Sequence, residues 1–201
     1  ATLADGTTAL CSDGAPSDCV ALAVMGVIEK PIDMVVSGIN PNANIGHDVT
    51  YSGTVTAAME AAISGLPAIA VSLDAPEFAE GPLEYAASAS AARRIAEKLM
   101  LNPLPDHAFL NVNVPYLPEK EFKGYHISRQ GQRIYRDKLV RREDPRGRPY
   151  YWIGGDSPTG VAESGTDFGD LAEGYVSITP IHLDLTAHAL LDPLRKWDFS
   201  A

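Results

Sequence analysis

Cysteine is scarce in this sequence, which has only Cys11 and Cys19 among its 201 residues. Two cysteines cannot supply a disulfide framework, and their spacing excludes a C-x-x-C redox pair or zinc site. We therefore expect two idle thiols in a reducing compartment, which predicts a cytoplasmic protein.

The sequence also has no long apolar run and few positively charged residues. No run approaches the length of a membrane span and no basic-then-apolar signal segment opens the chain, so a membrane partner is not expected. Lys and Arg total 16 against 26 Asp and Glu, and the net charge of −10 disfavours a nucleic-acid duplex as partner. A small anionic substrate is compatible with this charge, because a local dipole or a bound cation can reverse the sign within one pocket.

The sequence lacks the short motifs of several enzyme classes. Neither the P-loop G-x-x-x-x-G-K-[ST] nor the dinucleotide-binding G-x-G-x-x-G occurs, and the histidines show no H-x-x-x-H or H-E-x-x-H spacing, which disfavours a zinc hydrolase. No G-x-S-x-G elbow occurs either, so an esterase using Ser52 would lack an obvious triad. His47 lies in a central loop and is either near a substrate or simply solvated.

Apolar runs and helical segments alternate in the first half of the chain. Their composition and spacing predict the following order: helix 18–29, strand 32–36, helix 53–65, strand 68–73, helix 83–101 and strand 109–114. Strands that alternate with helices predict a mostly parallel sheet with helices on both faces.

The pattern changes from about Glu121. Strand-like segments at 124–130, 132–140 and 149–153 flank a turn at Asp144–Gly147, which predicts a long β-hairpin within about 121–153. An isolated hairpin is only marginally stable, so its apolar face must pack on something. Beyond it we predict a loop at 154–169, a strand at 175–180 and a terminal helix at 187–197. Without an internal repeat or linker, residues 1–201 are expected to form one domain.

The stretch from Ile32 to Gly65 combines a strand, a polar loop and a helix. The strand is predicted to break at Ser37-Gly38, and the helix to begin at Ser52-Gly53-Thr54. Ligands bind beyond the carboxyl ends of strands in open α/β sheets, and a helix start offers free N–H groups to a phosphate or carboxylate. We therefore predict an anion site whose polar ligands are Asn40, Asn42, Asn44, Ser52 and Thr54.

Several strings of this sequence resemble one known family. They are VVSGIN at 35–40, N-x-G at Asn44–Gly46, YSGTV at 51–55, LNVNVP at 110–115, DPRG at 144–147 and EGYVSITP at 173–180. Together they resemble the SurE family of metal-dependent nucleotidases and acid phosphatases. The resemblance implies a three-layer α/β/α, Rossmann-like, mostly parallel sheet with a protruding β-hairpin and C-terminal segment.

The resemblance also implies an activity and an assembly. It predicts a phosphomonoesterase that hydrolyses nucleoside 5'- and 3'-monophosphates with a divalent metal cation, of which Mg²⁺ or Mn²⁺ is expected. Family members exchange hairpin or C-terminal segments between subunits, so a homodimer or homotetramer is expected. The string GAPSDCV at 14–20 resembles a segment that borders the active-site cleft of the family.

The resemblance assigns roles to residues of the central stretch. Asn40 is expected to be a metal ligand, and phosphate or substrate binding is expected at Gly38, Asn44, Ser52, Gly53 and Thr54. Local alternatives stay open, because Asn40 could hydrogen-bond its own turn, Asn44 could hold the loop, and the hydroxyl side chains could cap the helix. Capping and phosphate binding are compatible, since both use the same helix end.

One motif of the family is absent from this sequence. The family begins with a strand ending in N-D-D-G, whose paired aspartates bind the metal, whereas the early D-G pairs here are Asp5-Gly6 and Asp13-Gly14. One Asn cannot supply the field that a hydrolytic cation site needs. We therefore expect an N-terminally incomplete chain whose catalytic residues are unassigned. A non-catalytic anion-binding or oligomerisation module is the alternative function.

Overall fold

The computed structural model describes residues 1–77 and 79–199, with the backbone alone for residues 155–158. Its strands are β1 (Val35–Asn40), β2 (Ala68–Asp74), β3 (Ala108–Pro115), β4 (Tyr125–Ile127), β5 (Arg133–Glu143), β6 (Pro149–Gly160) and β7 (Val176–His182). Its α-helices are α1 (Pro16–Leu22), α2 (Gly53–Ile63), α3 (Ala86–Leu101), α4 (Asp167–Ala172) and α5 (His188–Leu194). A π-helical turn spans Ala23–Val27, and 3-10 turns span Gly46–Thr50 and Glu119–Glu121.

The main sheet has five strands in the order β1-β2-β3-β7-β4. The first three run parallel, β7 lies antiparallel to β3, and β4 pairs in parallel with β7. Alternate residues of β2 face opposite layers, because Ala68 and Ala70 pack in the cluster of α2 whereas Ile69 and Val71 pack in the cluster of α3. The predicted three-layer α/β/α fold with a mostly parallel sheet is therefore confirmed.

The face of α2 that meets the sheet consists of small residues. Val55, Ala58 and Ala61 are fully buried there, and the aromatic ring of Phe109 from β3 is fully buried in the same cluster. Short side chains let the helix approach the strands closely, and each fully buried Val or Phe contributes about 1.5–3 kcal/mol. This packing fixes the start of α2 relative to the carboxyl ends of β1 and β2.

Strand β1 lies further along the chain than the sequence predicted. It does not break at Ser37-Gly38 but continues to Asn40, because Val35–Ser37 pair with residues 68–70 of β2 and Asn40 pairs with Ser72 after a register shift. The irregularity at Gly38 resembles a loop signal in the sequence, yet the strand resumes beyond it. Asn40 is consequently the last residue of β1 rather than a residue of the following loop.

One predicted helix and one predicted loop also differ from the structure. The helix predicted at 18–29 ends as an α-helix at Leu22, since a π-helical turn follows in which Gly26 has a φ of +112°, outside helical geometry. The segment 154–169 was predicted to be a loop, but β6 extends into it as far as Gly160 and α4 begins within it at Asp167. Helix α4 escaped prediction because the buried face of this short helix carries Asp167 and Asp170 instead of an apolar stripe.

The predicted hairpin is formed by β5 and β6, which pair antiparallel from Arg133 to Gly160. It begins later than the predicted position 121, because Tyr125–Ile127 pair with β7 in the main sheet. The Asp144 carboxylate closes its turn by accepting the N–H groups of Arg146 and Arg148 at 2.8 and 2.9 Å. The hairpin leaves large apolar side chains exposed, namely Leu139, Tyr151, Trp152 and Ile153.

Helix α5 is shorter than the predicted segment 187–197 and contains Pro193. Across residues 1–77 and 79–199, no helix combines the length and the apolar character that crossing a membrane would require.

Candidate functional site

A cleft of about 1140 Å³ opens where β1 and β2 end and α2 begins. Parallel strands place their carboxyl ends at one edge of a sheet, which brings residues of separate segments together there. The polar and aromatic lining comprises Asn40, Asn42, Asn44, Asp48, Tyr51, Ser52, Thr54, Asp74, Glu77, Arg133, Tyr135 and Phe168, with Pro16 and Gly53 beside them. Pro16 belongs to the string at 14–20 that was expected to border the active site.

Asn40 reaches this cleft from the end of β1. Its Nδ2 donates a hydrogen bond of 2.5 Å to the carbonyl oxygen of Asn42, so the side chain does bond its own turn. That bond uses the amide nitrogen, and the carboxamide oxygen is the atom that can coordinate a cation. Turn formation and metal ligation are therefore compatible roles for Asn40.

The start of α2 forms a second wall of the cleft. Ser52 is the N-cap, and its Oγ accepts the N–H of Val55 at 3.3 Å while its carbonyl accepts the N–H of Thr56 at 2.9 Å. The N–H groups of Gly53 and Thr54 remain at the open end of the helix, where the dipole is positive. These N–H groups can donate hydrogen bonds to one or more oxygen atoms of an anion.

Gly53 also carries the contact between α2 and α1. A Cβ atom at this position would lie 3.1 Å from Cγ of Pro16, which is tighter than an ordinary packing contact. A glycine at position 53 therefore lets the first turn of α1 approach the helix start that borders the cleft.

Asn44 is buried and anchors the loop that follows β1. Its carbonyl accepts Nδ2 of Asn111 and Asn113 at 2.8 and 3.0 Å, its N–H donates to Oδ1 of Asn113 at 2.8 Å, and its own Nδ2 donates to Ser72 Oγ at 2.7 Å. The loop-holding alternative thus has direct geometric support, and Asn44 also borders the cleft.

Gly38 and His47 lie apart from the other predicted site residues. A Cβ atom on Gly38 would lie 2.3 Å from the carbonyl oxygen of Val71, and its φ is +119°. Close packing of β1 against β2 therefore requires glycine at this position. His47 is exposed and does not line the cleft.

The charged or phenolic residues of the cleft that were not predicted from the sequence include Asp48, Asp74, Arg133 and Tyr135. Arg133 Nε lies 3.4 Å from Asp48 Oδ2, and the Tyr135 hydroxyl donates to Asp48 Oδ1. Loss of hydration, together with the Asp48 carboxylate, raises the pKa of Tyr135 to about 12. Loss of hydration also raises the pKa of Asp74, and the positive charge of Arg133 offsets part of that shift. The sequence pattern at positions 133 and 135 predicts only an alternating β-strand.

Asp167 connects the loop after β1 to the segment that enters β5. This fully buried carboxylate accepts the N–H of Gly46 at 2.8 Å through Oδ2, and the N–H groups of Gly131 and Phe168 at 2.7 and 2.8 Å through Oδ1. Burial raises the pKa of Asp167, and the three backbone donors counteract that shift. Asp167 thereby fixes where Arg133 enters the cleft.

A divalent cation does not find a complete set of ligands here. Within residues 1–77 and 79–199, no three His, Cys, Asp or Glu side chains lie close enough together to hold a metal ion. Asn40 contributes one neutral oxygen, whereas Mg²⁺ and Mn²⁺ prefer octahedral sets of oxygen ligands that include carboxylates. The donors that this part of the chain gathers therefore do not by themselves fit a hydrolytic cation site.

Comparison with known proteins identifies relatives that cover most of the chain. The 5'-nucleotidase SurE of Chloroflexus aggregans is 48% identical over 198 residues, which are 98% of this chain and 78% of the relative. The 5'-nucleotidase SurE of Herpetosiphon aurantiacus is 52% identical over 184 residues, 92% of this chain and 71% of the relative. The crystal structure of the SurE protein from Aquifex aeolicus matches with a TM-score of 0.77 and 42% identity, covering 91% of this chain and 73% of that one.

The family model described as Survival protein SurE matches residues 2–137, a range that contains β1, the loop after it, α2 and Arg133. The resemblance seen in the short sequence strings is thus confirmed over most of the chain. On the strength of this match and of relatives near 50% identity, the chain belongs to the SurE family.

Proposed function

We propose that the chain is a nucleotidase that hydrolyses a nucleoside monophosphate to a nucleoside and inorganic phosphate at the cleft. One observation carries this proposal: Asn40 and the open start of α2 border the same cleft in a chain about half identical to proteins named 5'-nucleotidase. Hydrolysis of both the 5'- and the 3'-monophosphate is the finer expectation.

The start of α2 is proposed to hold the phosphoryl group. The N–H groups of Gly53 and Thr54 and the Thr54 hydroxyl are donors for non-bridging phosphoryl oxygens, while Ser52 caps the helix. Donors that are fixed in advance stabilise the negative charge that builds up on these oxygens during phosphoryl transfer. Asn44 supports this arrangement by anchoring the loop between β1 and α2.

Membership of the SurE family implies a divalent metal cation, and we expect Mg²⁺ or Mn²⁺. Asn40 would supply one oxygen ligand from the end of β1. The remaining ligands would have to be carboxylates in addition to the groups that the structure brings together around Asn40.

We further propose that the chain forms one domain that assembles as a homodimer or homotetramer in the cytoplasm. The hairpin β5–β6 supports assembly, since its exposed Leu139, Trp152 and Ile153 would be covered by a second copy. Cys11 and Cys19 are free thiols, as expected for a reducing compartment.

The alternative, a non-catalytic anion-binding or oligomerisation module, is not favoured. Relatives that match 92–98% of the chain carry the name of an enzyme, 5'-nucleotidase. An esterase that uses Ser52 also has little support, because Ser52 Oγ accepts the N–H of Val55 and serves as a helix cap.

Phosphate release from AMP tests the proposal in a form of the protein extended to the length of its relatives, which would supply the carboxylate ligands. We expect release that depends on a divalent cation and stops with EDTA. Asn40→Ala should lower metal-dependent turnover by roughly tenfold or more. The matched control is Asn102→Ala, because Asn102 is an exposed residue whose Nδ2 donates to the Lys98 carbonyl at the end of α3.

Three results would contradict this assignment. Unchanged rates of Asn40→Ala with p-nitrophenyl phosphate across a manganese titration would remove Asn40 from the metal site. Activity that resists EDTA would favour the esterase instead. If the extended form releases no phosphate, with or without added cation, the result would favour the binding module.

A further inference from the structure

We infer that Arg133 binds the phosphate group of the substrate and that Asp48 is the residue that positions it. This inference rests on the proposed nucleotidase function and adds a substrate-binding residue from the hairpin to the site formed by β1 and α2. Neither residue was predicted from the sequence to belong to the site.

Charge at the cleft singles out Arg133. Three carboxylates, Asp48, Asp74 and Glu77, line the cleft, and the protein as a whole carries a formal net charge of −10. Among the lining residues in the described part of the chain, Arg133 is the one Lys or Arg side chain. A phosphate monoester carries between one and two negative charges near neutral pH, so its entry needs a compensating positive charge.

Arg133 pairs with Asp48 through Nε, and it also interacts with Tyr135 and with the charge of Asp74. Asp48 faces Nε at 3.4 Å, beyond the roughly 2.7–2.9 Å of a charge-assisted hydrogen bond, and this buried Nε has no hydrogen-bond partner in the structure. The two terminal nitrogens carry four of the five N–H donors and can bind two phosphate oxygens at once. A guanidinium held on one side by a carboxylate presents its other edge to a second anion.

Asp48 is itself held in place from two directions. Its Oδ1 accepts the Tyr135 hydroxyl, and its backbone N–H donates to the Ile45 carbonyl at 3.1 Å within the 3-10 turn. The side chains of Arg133 and Asp48 are only 16% and 15% exposed, so the pair cannot swing freely into solvent. This arrangement fixes Arg133 at the cleft wall before substrate arrives.

A purely structural role for Arg133 predicts a different outcome. If Arg133 only neutralises Asp48, then the affinity for substrate that is lost on removing Arg133 alone should return when both charges are removed together. If Arg133 binds phosphate, the double variant should bind substrate as weakly as the single variant does. The two roles therefore separate in a double-mutant comparison.

The test is equilibrium dialysis of AMP, and separately of inorganic phosphate, against the intact chain and four variants. Arg133→Met should raise both dissociation constants about ten- to hundredfold, and Arg133→Lys should recover part of that loss. The double variant Arg133→Met/Asp48→Asn should lose as much affinity relative to the unaltered chain, so it decides the question even if Arg133→Met alone does not fold. Arg136→Met is the matched control, because Arg136 is an exposed arginine of β5 that bonds Thr159 Oγ1 at 3.0 Å.

The test measures binding and not turnover, so it can decide this inference independently of the proposed function. Should the extended form bind AMP but release no phosphate, the nucleotidase proposal fails while the Arg133 result still decides the inference. Equal affinities for the chain and Arg133→Met, restored affinity in the double variant, or no binding of AMP by the unaltered chain would each overturn it.

Discussion

Asp167 and Gly46 are 121 positions apart in sequence, and the Gly46 N–H donates a hydrogen bond of 2.8 Å to Asp167 Oδ2. The second carboxylate oxygen accepts the N–H of Gly131 at 2.7 Å, so one buried side chain holds two distant loops. One loop follows β1 and leads to α2, and the other leads to β5 and Arg133. The two halves of the candidate site are therefore connected by a residue that does not itself line the cleft.

Replacing Asp167 with Asn tests this connection. The amide NH₂ group cannot accept a hydrogen bond, so a buried backbone N–H of Gly46 or Gly131 loses its partner. We expect a loss of about 1–3 kcal/mol in the free energy of unfolding, measured by urea denaturation. Asp137→Asn, at an exposed position of β5, should leave the midpoint unchanged. Equal midpoints for both variants would contradict the role of Asp167.

Gly46→Ala should destabilise the fold through the same contact. Gly46 has a φ of +54°, and a Cβ atom there would lie 2.7 Å from the carbonyl oxygen of Gly131. Gly65→Ala is the control, because Gly65 also has a positive φ, +76°, but has nothing within 4 Å of the added atom. We expect a cost of about 1 kcal/mol for Gly65→Ala and roughly 1–3 kcal/mol more for Gly46→Ala in urea denaturation. Similar costs at both positions would show that the loops move apart easily.

The Tyr135 hydroxyl should ionise near pH 12 rather than 10. Loss of hydration and the hydrogen bond to Asp48 both favour the protonated phenol. Because the folded-state pKa is raised, this stabilisation is complete below pH 10 and is lost as the pH rises towards 12. Ultraviolet titration of the protein against Tyr135→Phe isolates this group, and Asp48→Asn should lower its pKa towards 10. An unchanged titration curve in Asp48→Asn would exclude the interaction.

Asp170 should give the protein part of its resistance to acid. Burial alone would raise the pKa of Asp170, but hydrogen bonds from Ser128 Oγ at 2.6 Å, from His126 and from the Gly165 N–H lower it overall. A lowered folded-state pKa stabilises the fold above the ordinary value of 3.8, and this contribution is lost as the pH falls through the folded-state pKa.

Urea midpoints measured from roughly pH 5 downwards test this expectation. Asp170→Asn should be less stable than the unaltered chain near neutral pH, and its stability should fall less steeply in acid. Asp137→Asn should keep the original slope. Parallel curves for Asp170→Asn and the unaltered chain would assign the acid sensitivity to other carboxylates.

The strands were predictable wherever the chain buries a continuous apolar run. Strand β2 was predicted at 68–73 and spans Ala68–Asp74, and β3 was predicted at 109–114 and spans Ala108–Pro115. Helix α4 was missed because its buried positions include Asp167 and Asp170, whose partners are backbone N–H groups and side chains of distant segments. Periodicity reports only apolar burial, so a helix that buries carboxylates gives no such signal.

Sequence alone determined the part of the site that a single strand–loop–helix unit builds. Asn40 and the Ser52-Gly53-Thr54 start of α2 could be placed at one edge of the sheet, because strand direction and helix polarity follow from local pattern. Only the tertiary structure brought Arg133 and Tyr135 to the same cleft, since their position depends on Asp48 and on the Asp167 hydrogen bonds to Gly46 and Gly131. Hydrogen bonds between segments so far apart in the chain give no periodic pattern in the sequence of either segment. For this reason the position of Arg133 at the cleft could be seen only in the folded chain.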